Sequence, residues 1–306
     1  MTNPANSQSQ KRSSESLGAL FSQEGQSHNP RSLLILKSSS DVGVMRNGGR
    51  NGARLAPNSF LSYFRKLNQT RALQNFSFYE KEVASQKSEE ADFSQAQQTE
   101  AQKIAEYLKL FPSSRLLHLG GGHDHIYPLL MAFSSHKKII VINIDAHADT
   151  RTDEQAHSGT PFRQFSREYA GDFHLFQVGL HAYANSVSTM SPLEKGSSQV
   201  LWRNELADEK KAKAYFHQIK KLIDPDTVVI FSLDADAMSG QLVPGVSAVN
   251  GNGLSFEELE QIWHHYQELG QKHPPIIGIY ELNPAYDTLS GASMRMMNAF
   301  VFLTLN

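Results

Sequence analysis

Along the chain, short apolar runs alternate with longer stretches in which apolar residues recur at helical spacing. The runs Leu33–Leu36, Leu116–Leu119, Ile139–Ile144, His174–Val178, Val228–Leu233 and Ile276–Tyr280 predict strands. Most are near-continuous rather than alternating, the pattern of parallel strands buried on both faces. Gln95–Leu110 predicts a helix that stops before Pro112. Ser255, followed by Glu257 and Glu258, supplies an N-cap and an acidic first turn for another helix that runs to about Leu269, before Gly270. Ser85–Thr99 is polar and reads as a loop or a poorly ordered helix start. Strand and helix in alternation predict an α/β fold, one three-layer αβα domain around a mostly parallel central sheet. No linker divides the chain.

Composition narrows the function classes. The chain has 306 residues and no cysteine, which excludes disulfides, thiolate-ligated zinc, iron–sulfur centres and cysteine nucleophiles. A formal charge of −2 argues against nucleic-acid binding driven by bulk charge. The central apolar run is far short of the roughly 20 residues that span a bilayer, so no membrane partner is expected. Residues 1–31 are rich in Ser, Gln and Asn and lack the apolar stretch of a secretory signal. They are expected to form a mobile polar tail on a cytoplasmic enzyme, with residues 32–306 as a single catalytic domain.

Four of the apolar runs end in clusters of carboxylates or histidines: LLHLGGGHDH, IIVINIDAHADTR, VVIFSLDADAM and IIGIYELNP. Functional groups of parallel α/β sheets collect beyond the carboxyl ends of strands. Asp145, His147 and Asp149 fall at i, i+2 and i+4, and Asp234 and Asp236 repeat the two-residue step, so each set faces one way in extended backbone. Burying these charges uncompensated would cost several kcal/mol apiece. Divalent metal removes the problem, because the four aspartates carry −4 and two divalent ions carry +4. His123 joins from the Gly-rich turn, giving six candidate ligands: His123, Asp145, His147, Asp149, Asp234 and Asp236. Such an oxygen- and nitrogen-rich set suits manganese. A two-metal site turns water into a nucleophile near neutral pH, and the predicted chemistry is hydrolysis. His125 is expected to support this site rather than to ligate.

These motifs resemble the ureohydrolases, the arginase, agmatinase and formiminoglutamase group. The resemblance runs from about Ser38 to Asn306. It is carried by DVGVMRNGGRNGARLAP (Asp41–Pro57), GGGHD, DAHADTR, SGTPF, SLDADA and ELNP. It implies an arginase-like αβα fold with two Mn2+, His123 and Asp149 on one ion, His147 and Asp236 on the other, and Asp145 and Asp234 bridging. It implies catalytic roles for Asp149 and Glu281. A bridging hydroxide would attack the amidine carbon, Asp149 would pass a proton to the leaving amine, and Glu281 would also bind the cationic substrate group. Glu281 has the competing role of a capping or ion-pair glutamate. Asn47 and Arg50 belong to an early family loop, and neither is assigned a catalytic role.

Within that family, SGTPF, the PGVSA stretch at Pro244–Ala248 and the arginine of DAHADTR resemble the formiminoglutamase branch. Arg151 suits a substrate with carboxylates, which a guanidinium binds bidentately; a structural ion pair with Asp153 or Glu154 is its competing role. Ser158 takes the place where arginases and agmatinases carry a histidine, and His157 lies one residue early. GLHAYAN lacks the acidic residue that arginases direct at the substrate amino group. The resemblance thus implies cleavage of N-formimidoyl-L-glutamate to L-glutamate and formamide, in histidine catabolism, by a homo-oligomer. Two rival readings stand beside it. One is a ureohydrolase releasing urea from guanidinobutyrate, agmatine or arginine. The other is a non-catalytic metal-dependent binding protein.

Overall fold

A computed structural model describes residues 14–305. Eight strands form one sheet: β1 (Ser32–Ser39), β2 (Ser77–Ser85), β3 (Arg115–Gly120), β4 (Lys138–Ile144), β5 (Asp172–Val178), β6 (Ser197–Leu201), β7 (Thr227–Asp234) and β8 (Ile276–Tyr280). Their order is β2-β1-β3-β8-β7-β4-β5-β6, and every neighbouring pair is parallel. Successive residues of a strand face opposite sides, and two cores result. Ile35, Leu117, Ile142 and Phe231 pack on one side with Phe60, Phe216, Trp263 and Phe300 from the helices Ala56–Phe64, Glu209–Leu222, Phe256–Gln267 and Ala292–Thr304. Leu34, Leu116, Val141 and Ile230 pack on the other with Ile104, Leu129 and Phe165 from Phe93–Leu110, Ile126–Ala132 and Pro161–Glu168. The sheet lies between two helical layers, as the alternating pattern predicts.

The four strands whose ends carry the clustered polar residues, β3, β8, β7 and β4, stand side by side in the middle of the sheet. Because all are parallel, their carboxyl ends share one edge. The last helix before β8 begins at a complete capping box, in which Ser255 Oγ accepts from the Glu258 N–H (3.2 Å) and Glu258 accepts from the Ser255 N–H (2.9 Å). Ser85–Thr99 is not a loop: it holds the helix Gln86–Ala91 and the first turns of Phe93–Leu110, whose N-cap Asp92 accepts from the Gln95 N–H.

The expected tail divides. Residues 1–13 lie outside the described residues. From residue 14 to residue 31 the chain is docked, which corrects the expectation of a mobile segment there. Leu17 is fully buried in the core with Phe64 and Phe78. Phe21 stacks on Phe78 at 5.3 Å, and the Leu17 and Ser22 amides donate to Leu67 and Phe78 carbonyls. The few apolar residues of this polar stretch cover the outer strands.

Candidate metal centre

All six expected ligands meet beyond the shared sheet edge. They form two adjoining groups, His123 with Asp145, Asp149 and Asp234, and Asp145 with His147 and Asp236. Nδ1 of His123 lies 3.2 Å from Asp145, 2.9 Å from Asp149 and 3.1 Å from Asp234. Nδ1 of His147 lies 3.2 Å from Asp236 and 3.6 Å from Asp145. Asp145 therefore faces both imidazoles. Asp234 turns Oδ2 to His123, while its Oδ1 accepts from the Asp236 N–H at 2.8 Å.

The fully buried His123 Nδ1 has close carboxylate neighbours but none aligned as a hydrogen-bond partner, and Asp236 Oδ1 is also buried without one. Nε2 of the same ring is 2.9 Å from Ser232 Oγ, which can accept the Nε2 proton and leave Nδ1 its lone pair for a bound ion. An imidazole held from behind and aimed into converging carboxylates is the arrangement of a metal ligand. The residues fit a pair of divalent cations. Without an ion, burial pulls the His123 pKa down, but contacts with Asp145, Asp149 and Asp234 outweigh it and raise it well above its usual value. Burial and then the Asp145 charge push Asp149 up to about 6.

Two of the residues expected at the site have strained backbone. Asp149 (φ 51°) and Glu281 (φ 62°) take left-handed backbone, which non-glycine residues rarely adopt. In Glu281 this turns the side chain back under the centre, where Oε1 accepts the His123 N–H at 3.1 Å. Burial, then the Asp236 charge, pushes Glu281 up to about 8.

Above the centre opens a cleft of about 570 Å3, lined by His147, Asp149, Arg151, Ser158, Asn185 and Glu281 among others. Arg151 reaches it while also pairing through Nε with Asp153 (2.8 Å) and donating from Nη1 to Asn47 (2.6 Å). Both expected roles of Arg151 are thus geometrically available. Ser158 accepts from Asn47 Nδ2 at 3.1 Å. His157 points elsewhere: Nε2 is 3.0 Å from Asp153, and Nδ1 accepts from the Gly159 N–H. It does not line the cleft, so it does not replace the absent histidine. Arg50 donates to the Ser247 and Val246 carbonyls, a structural task.

Sequence reasoning missed Ser232 and Asn185. Ser232 was legible, since it stands two residues before Asp234 on one strand and must face the same side. Asn185 holds the loop beside the cleft, accepting from the Ala148 N–H (2.7 Å) and donating to the Ala146 and His181 carbonyls. Nothing in its local sequence marks it.

Comparison with known proteins agrees with this geometry. Formimidoylglutamase of Vibrio cholerae is 29% identical over 282 residues, covering 83% of this chain and 78% of that protein. Formimidoylglutamase of Staphylococcus aureus is 29% identical over 276 residues, covering 85% and 82%. Among solved structures, formimidoylglutamase of Bacillus subtilis superposes with a TM-score of 0.81 at 19% identity, over 95% of this chain and 91% of that one. Trypanosoma cruzi formiminoglutamase, solved with Mn2+2, gives 0.75 at 23% identity over 95% and 98%. These two likenesses speak for the fold. Residues 39–305 match the arginase family, and the chain belongs to it.

Proposed function

We propose that this protein hydrolyses N-formimidoyl-L-glutamate to L-glutamate and formamide, using two Mn2+ held by His123, Asp145, His147, Asp149, Asp234 and Asp236, with Asp145 and Asp234 shared between them. The observation that carries this reading is one cleft with two His/Asp groups at its floor and an arginine at its rim. Bound divalent ions supply a water activated at neutral pH and electrostatic stabilisation of the developing charge. The chain's own residues do the rest. Arg151 receives substrate carboxylate. Glu281, whose carboxylate would ionise once cations offset the Asp236 charge beside it, complements the cationic formimidoyl group. Water adds through its oxygen to the formimidoyl carbon, and the bond from that carbon to the glutamate nitrogen breaks as the added hydroxyl's proton moves to the nitrogen. Asp149 passes a proton to that nitrogen, so glutamate leaves as the amine and formamide keeps the other nitrogen. A homo-oligomer working in the cytoplasm, on formimidoylglutamate from histidine breakdown, belongs to the same proposal and rests on the family resemblance.

The test is product identification. Manganese-loaded and chelated protein are each incubated with formimidoylglutamate, arginine, agmatine and guanidinobutyrate. Metal-dependent formamide and glutamate are expected from the first substrate alone. Urea from any other overturns the substrate assignment while keeping the centre. Metal binding without turnover of any of them overturns the enzyme reading.

A further inference from the structure

A second buried polar cluster lies beside the metal centre and takes no part in it. Glu89 comes from the helix Gln86–Ala91, Glu100 from Phe93–Leu110, and Asp124 and His125 from the turn after β3. All four are at most 1% exposed. Three carboxylates at such depth require compensation, since each unpaired buried charge costs several kcal/mol.

Glu100 is fully accounted for. Its Oε1 accepts from Ser38 Oγ at 2.5 Å, and its Oε2 lies 2.9 Å from His125 Nδ1. Glu89 is half accounted for: Oε2 accepts from Ser40 Oγ at 2.6 Å, whereas Oε1 is buried without a partner. Asp124 is not accounted for at all, because neither carboxylate oxygen has a hydrogen-bond partner elsewhere among the described residues. Its carboxylate lies where a Cβ on Gly43 would fall, so the backbone there has been cleared to admit it.

His125 supplies the remaining donor atom. Its Nδ1 donates to Glu100 and its Nε2 faces the Ser40 carbonyl, which can only accept, so Nε2 carries a proton here that a bound ion would displace. That nitrogen is 3.6 Å from the unpartnered Glu89 Oε1 and 3.3 Å from the Ser40 carbonyl. A carboxylate behind one ring nitrogen, with the other facing unpaired oxygens, is how metal-ligating histidines are held. One atom each from Glu89, Asp124 and His125 lies within 4.8 Å of the others. That ceiling lies just above the spacing of about 4.6 Å that separates two ligands on opposite sides of one ion at about 2.3 Å.

We propose that Glu89, Asp124 and His125 bind a third divalent cation, distinct from the pair in the catalytic centre. Glu89 and Asp124 with a neutral imidazole balance one divalent charge, while Glu100 keeps its own charge toward Ser38, His118 and His125, and the oxygen and nitrogen donors suit manganese or a similar ion. The ion ties the helix Gln86–Ala91 to the turn that carries His123, and its role is structural. The rival arrangement is a doubly protonated His125 clamped between Glu89 and Glu100 with no ion. It satisfies Glu89, and burial raises the Asp124 pKa, but it leaves both Asp124 oxygens without a hydrogen-bond partner.

The experiment uses the full chain, loaded with Mn2+, dialysed and crystallised, with anomalous difference density recorded at the manganese edge. A peak within bonding distance of Glu89, Asp124 and His125 is expected. Its absence overturns the third site, whatever the catalytic centre holds; empty catalytic positions would count against the two-Mn2+ reading alone. In solution, Glu89→Gln should retain about one equivalent of manganese less than the unaltered chain after dialysis, by elemental analysis. Equal retention by a folded variant overturns the proposal. Should that variant not fold, the map on the unaltered chain decides.

Discussion

Ser232 Oγ stands 2.9 Å behind Nε2 of His123, and this contact decides which ring nitrogen enters the metal centre. With the Nε2 proton directed to the hydroxyl, Nδ1 keeps its lone pair for an ion held among the three aspartates around it. Ser232→Ala removes that acceptor and leaves the ring free to change tautomer and tilt. Manganese affinity should fall about 10–100-fold, the usual cost of losing such a supporting contact. Calorimetric titration of the metal-free variant measures it. Unchanged affinity would mean that packing against Tyr280, stacked at 4.9 Å, holds the ring instead.

The two ligand groups share Asp145 but not Asp236. Deleting each carboxylate should therefore have different consequences. Asp236→Ala weakens the group built on His147 and should cost about one manganese equivalent. Asp145→Ala opens both groups and should cost about two. Elemental analysis after dialysis counts them, with circular dichroism to show that both variants remain folded. Equal losses in the two variants would contradict a shared Asp145.

Much of this was readable because β3, β4, β7 and β8 are buried on both faces, and burial on both faces writes an uninterrupted apolar run. Polar residues after such runs stand out, and the six residues that meet at the sheet edge all stand out in that way. The outer strands left no such trace. In β2, Phe78 and Tyr79 are buried while Ser77, Glu80 and Lys81 are partly exposed, and β6 is mostly half-buried, so neither writes a run. The docking of Leu17 and Phe21 rests on scattered side chains in a polar segment. Glu89 and Glu100 were invisible for another reason: helical periodicity marks apolar faces, and a buried glutamate reads as a solvated one. Only the tertiary meeting with His125 reveals it.

That meeting has a consequence for acid stability. Burial works to raise the Glu100 pKa, but the His125 charge and hydrogen bonds with His118 and His125 prevail, lowering it from 4.5 to about 2. A folded-state pKa below the unfolded one gives stability that is complete above the unfolded pKa and is lost as pH falls toward the folded pKa. In metal-free protein, the melting advantage over Glu100→Gln should be roughly 5 °C at neutral pH. It should shrink as pH drops from 4.5 to about 2. Melting curves of both proteins across that window test it. A difference independent of pH would assign the loss to packing alone.

Arg151 is half-exposed at the cleft and is already engaged twice, through Nε with Asp153 and through Nη1 with Asn47. Those contacts hold the guanidinium in place before substrate arrives, so little side-chain entropy is lost on binding. A carboxylate contact of this kind is made equally before and during the chemical step, and its loss should appear in KM and spare kcat. Arg151→Ala should raise KM for formimidoylglutamate about 10–100-fold, the worth of one charged hydrogen-bonded contact. Arg151→Lys should recover only part of it, because an ammonium cannot hold Asp153, Asn47 and a carboxylate in one plane. Steady-state kinetics of both variants decide the question. If KM stays unchanged while the melting temperature falls, Arg151 serves Asp153 and Asn47 rather than substrate.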